Sequence, residues 1–111
     1  AEGRRLQIVR KQLEMYVEAD VRNAMEQLNS ARVRYDAASM AAQAALEQYA
    51  SEQRQFQSGT TTMFLVLERQ NSYVAARSSE VRARANLAEA VANLDRSVAR
   101  TLDVHQIRLN P

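Results

Sequence analysis

Phe56-Gln57-Ser58-Gly59-Thr60-Thr61-Thr62 is the one stretch of this 111-residue chain where a long helix has reason to stop. The chain has two glycines and one proline; Gly3 and Pro111 sit at the two ends, so only Gly59 interrupts. A glycine reaches the left-handed conformation that closes a helix, and a following threonine hydroxyl can accept from a free N–H of the next helix. One break between two long alanine-rich runs predicts a helical hairpin with Ser58–Thr61 as its tip.

Upstream of the tip, Val21, Ala24, Leu28, Ala31, Tyr35, Ala38, Ala42, Ala45 and Tyr49 alternate three- and four-residue steps, the spacing of a coiled-coil seam. Leu6, Val9, Leu13 and Val17 extend it toward the start, with an extra four-residue step that locally unwinds a left-handed supercoil. The alanines let a partner helix come close; Leu28, Tyr35, Leu46, Tyr49 and Phe56 are the expected knobs. Downstream, the seam is expected to pass Val66/Leu67, Gln70, Tyr73/Val74, Ala76, Ala83, Leu87, Val91, Leu94, Val98 and Leu102. The expected fold is all-α: a long antiparallel two-helix coiled-coil hairpin, with arm one at about 4–57, tip 58–61, arm two at about 62–104 and a tail at 105–111. Two helices enclose little core, so self-association into a helical bundle, or a place as one wall of a larger assembly, is expected. The chain opens at Ala1-Glu2-Gly3 without Met and without a basic–apolar–small leader pattern, which reads as a piece of a larger chain.

Composition narrows the function classes. Charged residues make up 25% and aromatics 5%, the profile of coiled coils and long helices. Fifteen basic residues nearly balance thirteen acidic ones, and the signs are interspersed, so the charges read as a solvated face rather than a nucleic-acid tract. The clusters Arg4/Arg5/Arg10/Lys11 and Arg77/Arg82/Arg84 lie beside acids and lack interleaved aromatics, which points the same way. No apolar run approaches the roughly 20 residues that span a bilayer. Without cysteine there is neither a disulfide nor a thiolate metal site. His105 is the only histidine and falls in the unpatterned tail. No nucleophile elbow, phosphate loop or zinc-binding helix motif is present, so no catalytic, cofactor or metal residue is expected and an enzyme is not.

Five consecutive apolar residues, Met63 to Leu67, directly follow the tip. An amphipathic helix needs fewer, so some of them must face something other than the sister arm. Either they plug the end of the coiled coil or they form a docking surface.

Phe56-x-x-Gly59 followed by Val66-Leu67-x-x-Gln70, then Ala76-Arg77, Ala83, Ala90 and Leu94-x-Arg96, resembles the C-terminal repeat of the TolC-like outer-membrane efflux protein family. Ala31-x-x-x-Tyr35 and Glu52-Gln53-x-x-Phe56 are similar to the family's helix descending to the same tip. The resemblance covers roughly Leu6 to Leu102. It implies a homotrimeric parent in the outer membrane, with this segment in a periplasmic α-helical tunnel of a tripartite export pump. It also implies a periplasmic adaptor (membrane fusion) protein docking at Ser58, Gly59, Thr60 and Thr61, and through it an inner-membrane pump. Phe56 matches an aromatic position that helps hold the entrance closed, and Leu65 and Glu68 match positions that are acidic in some members. Under threefold symmetry Glu68 alone would supply a ring of three carboxylates favouring cations; otherwise it is a surface glutamate near a helix N-terminus, where the helix dipole favours it. Leu65 departs from the acidic pattern, Thr61 stands where some members carry Arg, and Ala99 replaces the family's closing glycine. The rival reading is a structural or interaction coiled coil, either a scaffold or the α-hairpin of an adaptor protein. A scaffold has no reason to carry the tip motif, and the adaptor's Arg-Leu-Ser-type tip is missing here.

Overall fold

A computed structural model describes residues 2–109, with side chains described to residue 106. It holds two helices, α1 Glu2–Gln57 and α2 Met63–Leu109, and no strand among the described residues. Each helix persists because nothing between its ends breaks the i→i−4 ladder. Alanine, arginine, glutamate, glutamine and leucine dominate, and all rank high in helix propensity. The second helix runs past 104 to Leu109, so the expected tail is helical as far as it is described; 110–111 lie outside the described residues. Loss of the apolar spacing there ends side-chain packing but leaves the backbone free to continue, since no glycine or proline intervenes before Pro111.

The chain divides into two compact units. One holds the turn, Ala31–Leu87; the other holds residues of both chain ends, with 2–30 of α1 and α2 from 88 onward. In the turn unit, Ala31, Tyr35, Ala38, Ala42, Ala45, Tyr49 and Glu52 of α1 face inward at strict four- and three-residue steps. They meet Val66, Tyr73, Ala76, Glu80 and Ala83 of α2. Glu52 reaches Arg69 and Tyr49 reaches Tyr73, so numbers fall along one helix as they rise along the other: the pair is antiparallel. Ala31 and Ala42 are buried almost completely. At such buried positions a methyl is already in contact with the facing helix, so added bulk must displace neighbours.

In the unit of the chain ends, Val17, Ala24 and Ala90 are buried and Asp20 of α1 meets Ser97 and Arg100 of α2. The inward positions of α2 are Ala90, Leu94, Ser97, Thr101 and Val104. This corrects the expected path through Val91, Val98 and Leu102, all of which are exposed. Following the larger aliphatic residues inserts extra four-residue steps. The structure keeps the regular alternation instead and accepts small polar side chains at Ser97 and Thr101. Leu6, Val9 and Leu13 are likewise exposed, not seam residues. In the turn unit the expected knobs Leu46 and Phe56 are exposed as well, as is Gln70.

Closeness at the seam has a measurable consequence. Ala31→Leu forces added methylenes between the axes and is expected to destabilise the hairpin by about 1–3 kcal/mol, read by urea unfolding followed by circular dichroism. Ala44→Leu, on an exposed position of the same helix, is expected to change stability by less than about 0.5 kcal/mol.

Candidate functional site

The turn is built almost entirely from its own backbone. Gly59 has φ 77°, the left-handed conformation, and its N–H donates to the Phe56 carbonyl at 3.0 Å. The Thr60 N–H donates to the Gln55 carbonyl at 2.9 Å. Together these two bonds make the Schellman closure, which satisfies carbonyls that the end of α1 would otherwise leave open. Two hydroxyls add to it: Ser58 Oγ donates to the Arg54 carbonyl and Thr60 Oγ1 to the Gln55 carbonyl, each at 3.0 Å. On the far side, Thr62 Oγ1 accepts from the Leu65 N–H at 3.4 Å, the N-cap of α2. Of the three threonines that could have capped, Thr62 does so and Thr60 closes α1. The Thr61 hydroxyl is shielded from solvent and has no hydrogen-bond partner among the described residues.

Around this turn stands an apolar collar. Of the run Met63 to Leu67, Val66 alone is buried, at 7% exposure; Phe64 is 72% exposed. Phe56, the last aromatic of α1, is also exposed. The end-plug reading therefore describes Val66, while Met63, Phe64, Leu65 and Leu67 face outward. The expected tip residues Ser58, Gly59 and Thr60 are exposed and Thr61 is half-buried. Phe56, Leu65 and Glu68, the entrance candidates, all lie exposed on the turns nearest the tip.

Just behind the collar lies a polar cluster absent from the expected site. Glu52 occupies a seam position and is buried, yet it is charged; Arg69 Nε reaches across to its Oε1 at 3.7 Å. One helical turn further on, the rings of Tyr49 and Tyr73 stack with centroids 6.4 Å apart and planes 18° from parallel. Gln53 Nε2 donates to the Tyr49 hydroxyl at 3.0 Å. The signal was present in the spacing: Glu52 continues the three-four count from Tyr49, and only its charge argued against a seam position.

A second carboxylate sits in the same seam. Glu80 accepts from Arg77 on its own helix, and its side chain is largely enclosed between the helices. The Ser39 hydroxyl, reaching it from α1, and Arg77 beside it hold its carboxyl below the ordinary value, with the nearby charge of Arg84 adding to the effect.

Among the described residues no three potential metal ligands gather, and no helix is long and apolar enough to cross a membrane. His105, expected in a tail, lies exposed on α2. No protein-family model matches the chain, and no curated protein or solved structure matches it either.

Two kinds of outcome follow from this geometry, one for the turn and one for acid. No atom stands within 4 Å of the position a Cβ would take on Gly59, so Gly59→Ala meets backbone strain alone; it is expected to cost about 1–2 kcal/mol. Thr62→Ala removes the cap for about 1 kcal/mol; both are read as shifts in the unfolding midpoint. The second kind concerns acid. A carboxyl whose folded value is depressed contributes stability that is present above its unfolded value and lost as pH falls through the folded one. Glu80→Gln is therefore expected to lower the thermal midpoint at neutral pH, and the gap to the unaltered chain should close in acid below the ordinary carboxylate range.

Proposed function

We propose that this chain is a wall segment of a periplasmic α-helical tunnel in a trimeric outer-membrane efflux channel, with its tip serving as the docking point for a periplasmic adaptor of an export pump. One observation carries the reading. The residues of Phe56-x-x-Gly59 and Val66-Leu67-x-x-Gln70 divide sharply by what they do in the hairpin. Gly59 makes the turn and Val66 closes the end of the seam, so any hairpin of this shape would need them. The side chains of Phe56, Leu67 and Gln70 are exposed, outside the buried seam. A motif whose remaining members all face outward from a stiff, doubly capped turn suits recognition of something beyond the hairpin.

On this reading the segment works by geometry rather than by chemistry. Its helices contribute length and wall, and the tip offers an apolar collar around a backbone that its own hydrogen bonds keep from rearranging. Binding energy from the collar is then available to shift the helices against one another at the polar cluster of Glu52, Arg69, Tyr49 and Tyr73. Arg69, half exposed, can change partner there without unpacking an alanine contact. The outer membrane would hold the parent, and the inner-membrane pump would supply energy through the adaptor.

In-cell cysteine cross-linking of the full-length parent tests this. Thr60→Cys at the exposed tip is expected to form adducts with an adaptor protein, whereas Arg82→Cys, exposed on α2 well away from the turn in sequence, is not. A tip cysteine that never cross-links in a cell making the adaptor would leave a scaffold coiled coil as the better account.

A further inference from the structure

Arg34 of α1 and Arg82 of α2 line one open groove on the flank of the hairpin, about 300 Å³ in volume and wholly within the turn unit. Ala31, which is buried, and Ala83 form its floor, and Ser79 and Asn86 stand about one helical turn to either side of Arg82. None of these lining residues is acidic. Elsewhere the arginines nearest the seam are met by carboxylates: Arg69 by Glu52, Arg77 by Glu80 and Arg100 by Asp20. Arg82 has no acid three or four positions away on its own helix, where an ion-pair partner would stand. The cluster Arg77/Arg82/Arg84 is therefore not uniform. Arg77 is occupied by a carboxylate of its own helix, and Arg82 lines the groove.

Two guanidiniums on one groove repel each other, and an anion between them turns that repulsion into attraction. Their shape and neighbours indicate which anion. A carboxylate has two coplanar oxygens, which the fork of a single arginine fills. Donors on both walls, together with the Ser79 hydroxyl and the Asn86 amide, suit an anion whose oxygens point in several directions. Phosphate is such a group, and at neutral pH it carries close to two charges, matching the two arginines. A volume of this size lies at the lower end for small-molecule sites, so a phosphate fits with room for the organic part of a small monoester. We propose that this groove binds a phosphate group, free or esterified to a small molecule, between Arg34 and Arg82. Bound there, it ties α1 to α2 and stabilises the hairpin as its occupancy rises. The site uses no tip residue and no second copy of the chain, and it stands apart from the channel reading.

Inorganic phosphate, titrated into the chain at neutral pH and constant ionic strength, is expected to shift the NMR resonance of the Asn86 side-chain amide and to saturate at millimolar concentration. Arg34→Gln and Arg82→Gln are each expected to raise the dissociation constant by about tenfold, the worth of one charge-assisted contact. Both arginines are exposed, so helical circular dichroism should be retained. Arg32→Gln, at an exposed position of α1 outside the groove, should leave the constant unchanged. Glycerol 3-phosphate in a second titration separates the two sources of the group: tighter binding than inorganic phosphate assigns the groove to an ester, weaker binding to the free anion. Succinate, whose carboxylates are planar, is expected to bind about tenfold more weakly than phosphate or worse. Absence of a saturable shift with either phosphate would overturn the proposal. So would a constant that neither Arg34→Gln nor Arg82→Gln changes, or succinate binding as tightly as phosphate. A chain that binds no phosphate would leave the tip-docking experiment unaffected, and failed docking would leave the groove intact.

Discussion

The left-handed conformation at Gly59 is the constraint from which the turn unit is built. Any L-residue with a side chain resists φ near 77°, and without that value the Thr60 N–H could not return to the Gln55 carbonyl. The reversal decides which residue of α2 faces which residue of α1. Glu52 finds Arg69 and Tyr49 finds Tyr73 because the turn is this short and this rigid. A turn one residue longer would rotate α2 by about 100° about its axis and carry Val66 out of the seam.

Beyond the turn, the helices are held together less by hydrophobic bulk than by closeness. The buried apolar side chains are alanines and valines, each removing little surface from water, so burial per residue is small. Axes that approach this closely bring polar side chains within reach of one another. Ser39 meets Glu80, Arg69 meets Glu52, and Ser97 donates to Asp20 at 3.1 Å while Arg100 stands 3.0 Å from the same carboxylate oxygen. Each of these three carboxylates is met by a donor from the opposite helix, as partial burial of a charge demands. These contacts set the register of the two helices, and at Glu80 they bring sensitivity to pH.

Much of this could be read in the residues beforehand. Gly59 as the closing residue, a threonine cap, the alanine seam of α1 and the outward share of Met63–Leu67 all follow from local stereochemistry or from spacing. Where reading by size went wrong, it did so for one reason. At Val91, Val98 and Leu102 a large aliphatic residue lies beside the strict three-four count, and the count prevailed; Leu6, Val9 and Leu13 fall where all of 2–13 is exposed. In a helix pair this close, position around the axis outranks hydrophobicity, so Ser97 is buried at 3% exposure while Val98 next to it is open. The same competition hid Glu52 and Glu80, whose charge argued for the surface. The motif shared by Phe56, Leu67 and Gln70 was visible as a pattern, but that its side chains lie outside the seam became visible only with coordinates.

The sequence by itself determined that the chain is two helices about a single glycine turn, because helix propensity and left-handed backbone strain are properties of a residue and its neighbours. Tertiary structure alone decided which face of α2 meets α1, since the aliphatic residues Val91, Val98 and Leu102 offered a second path. That choice rests on position around the helix axis, which carries Val66, Tyr73, Leu94 and Ser97 inward and leaves Val74, Val91 and Val98 outside whatever their size.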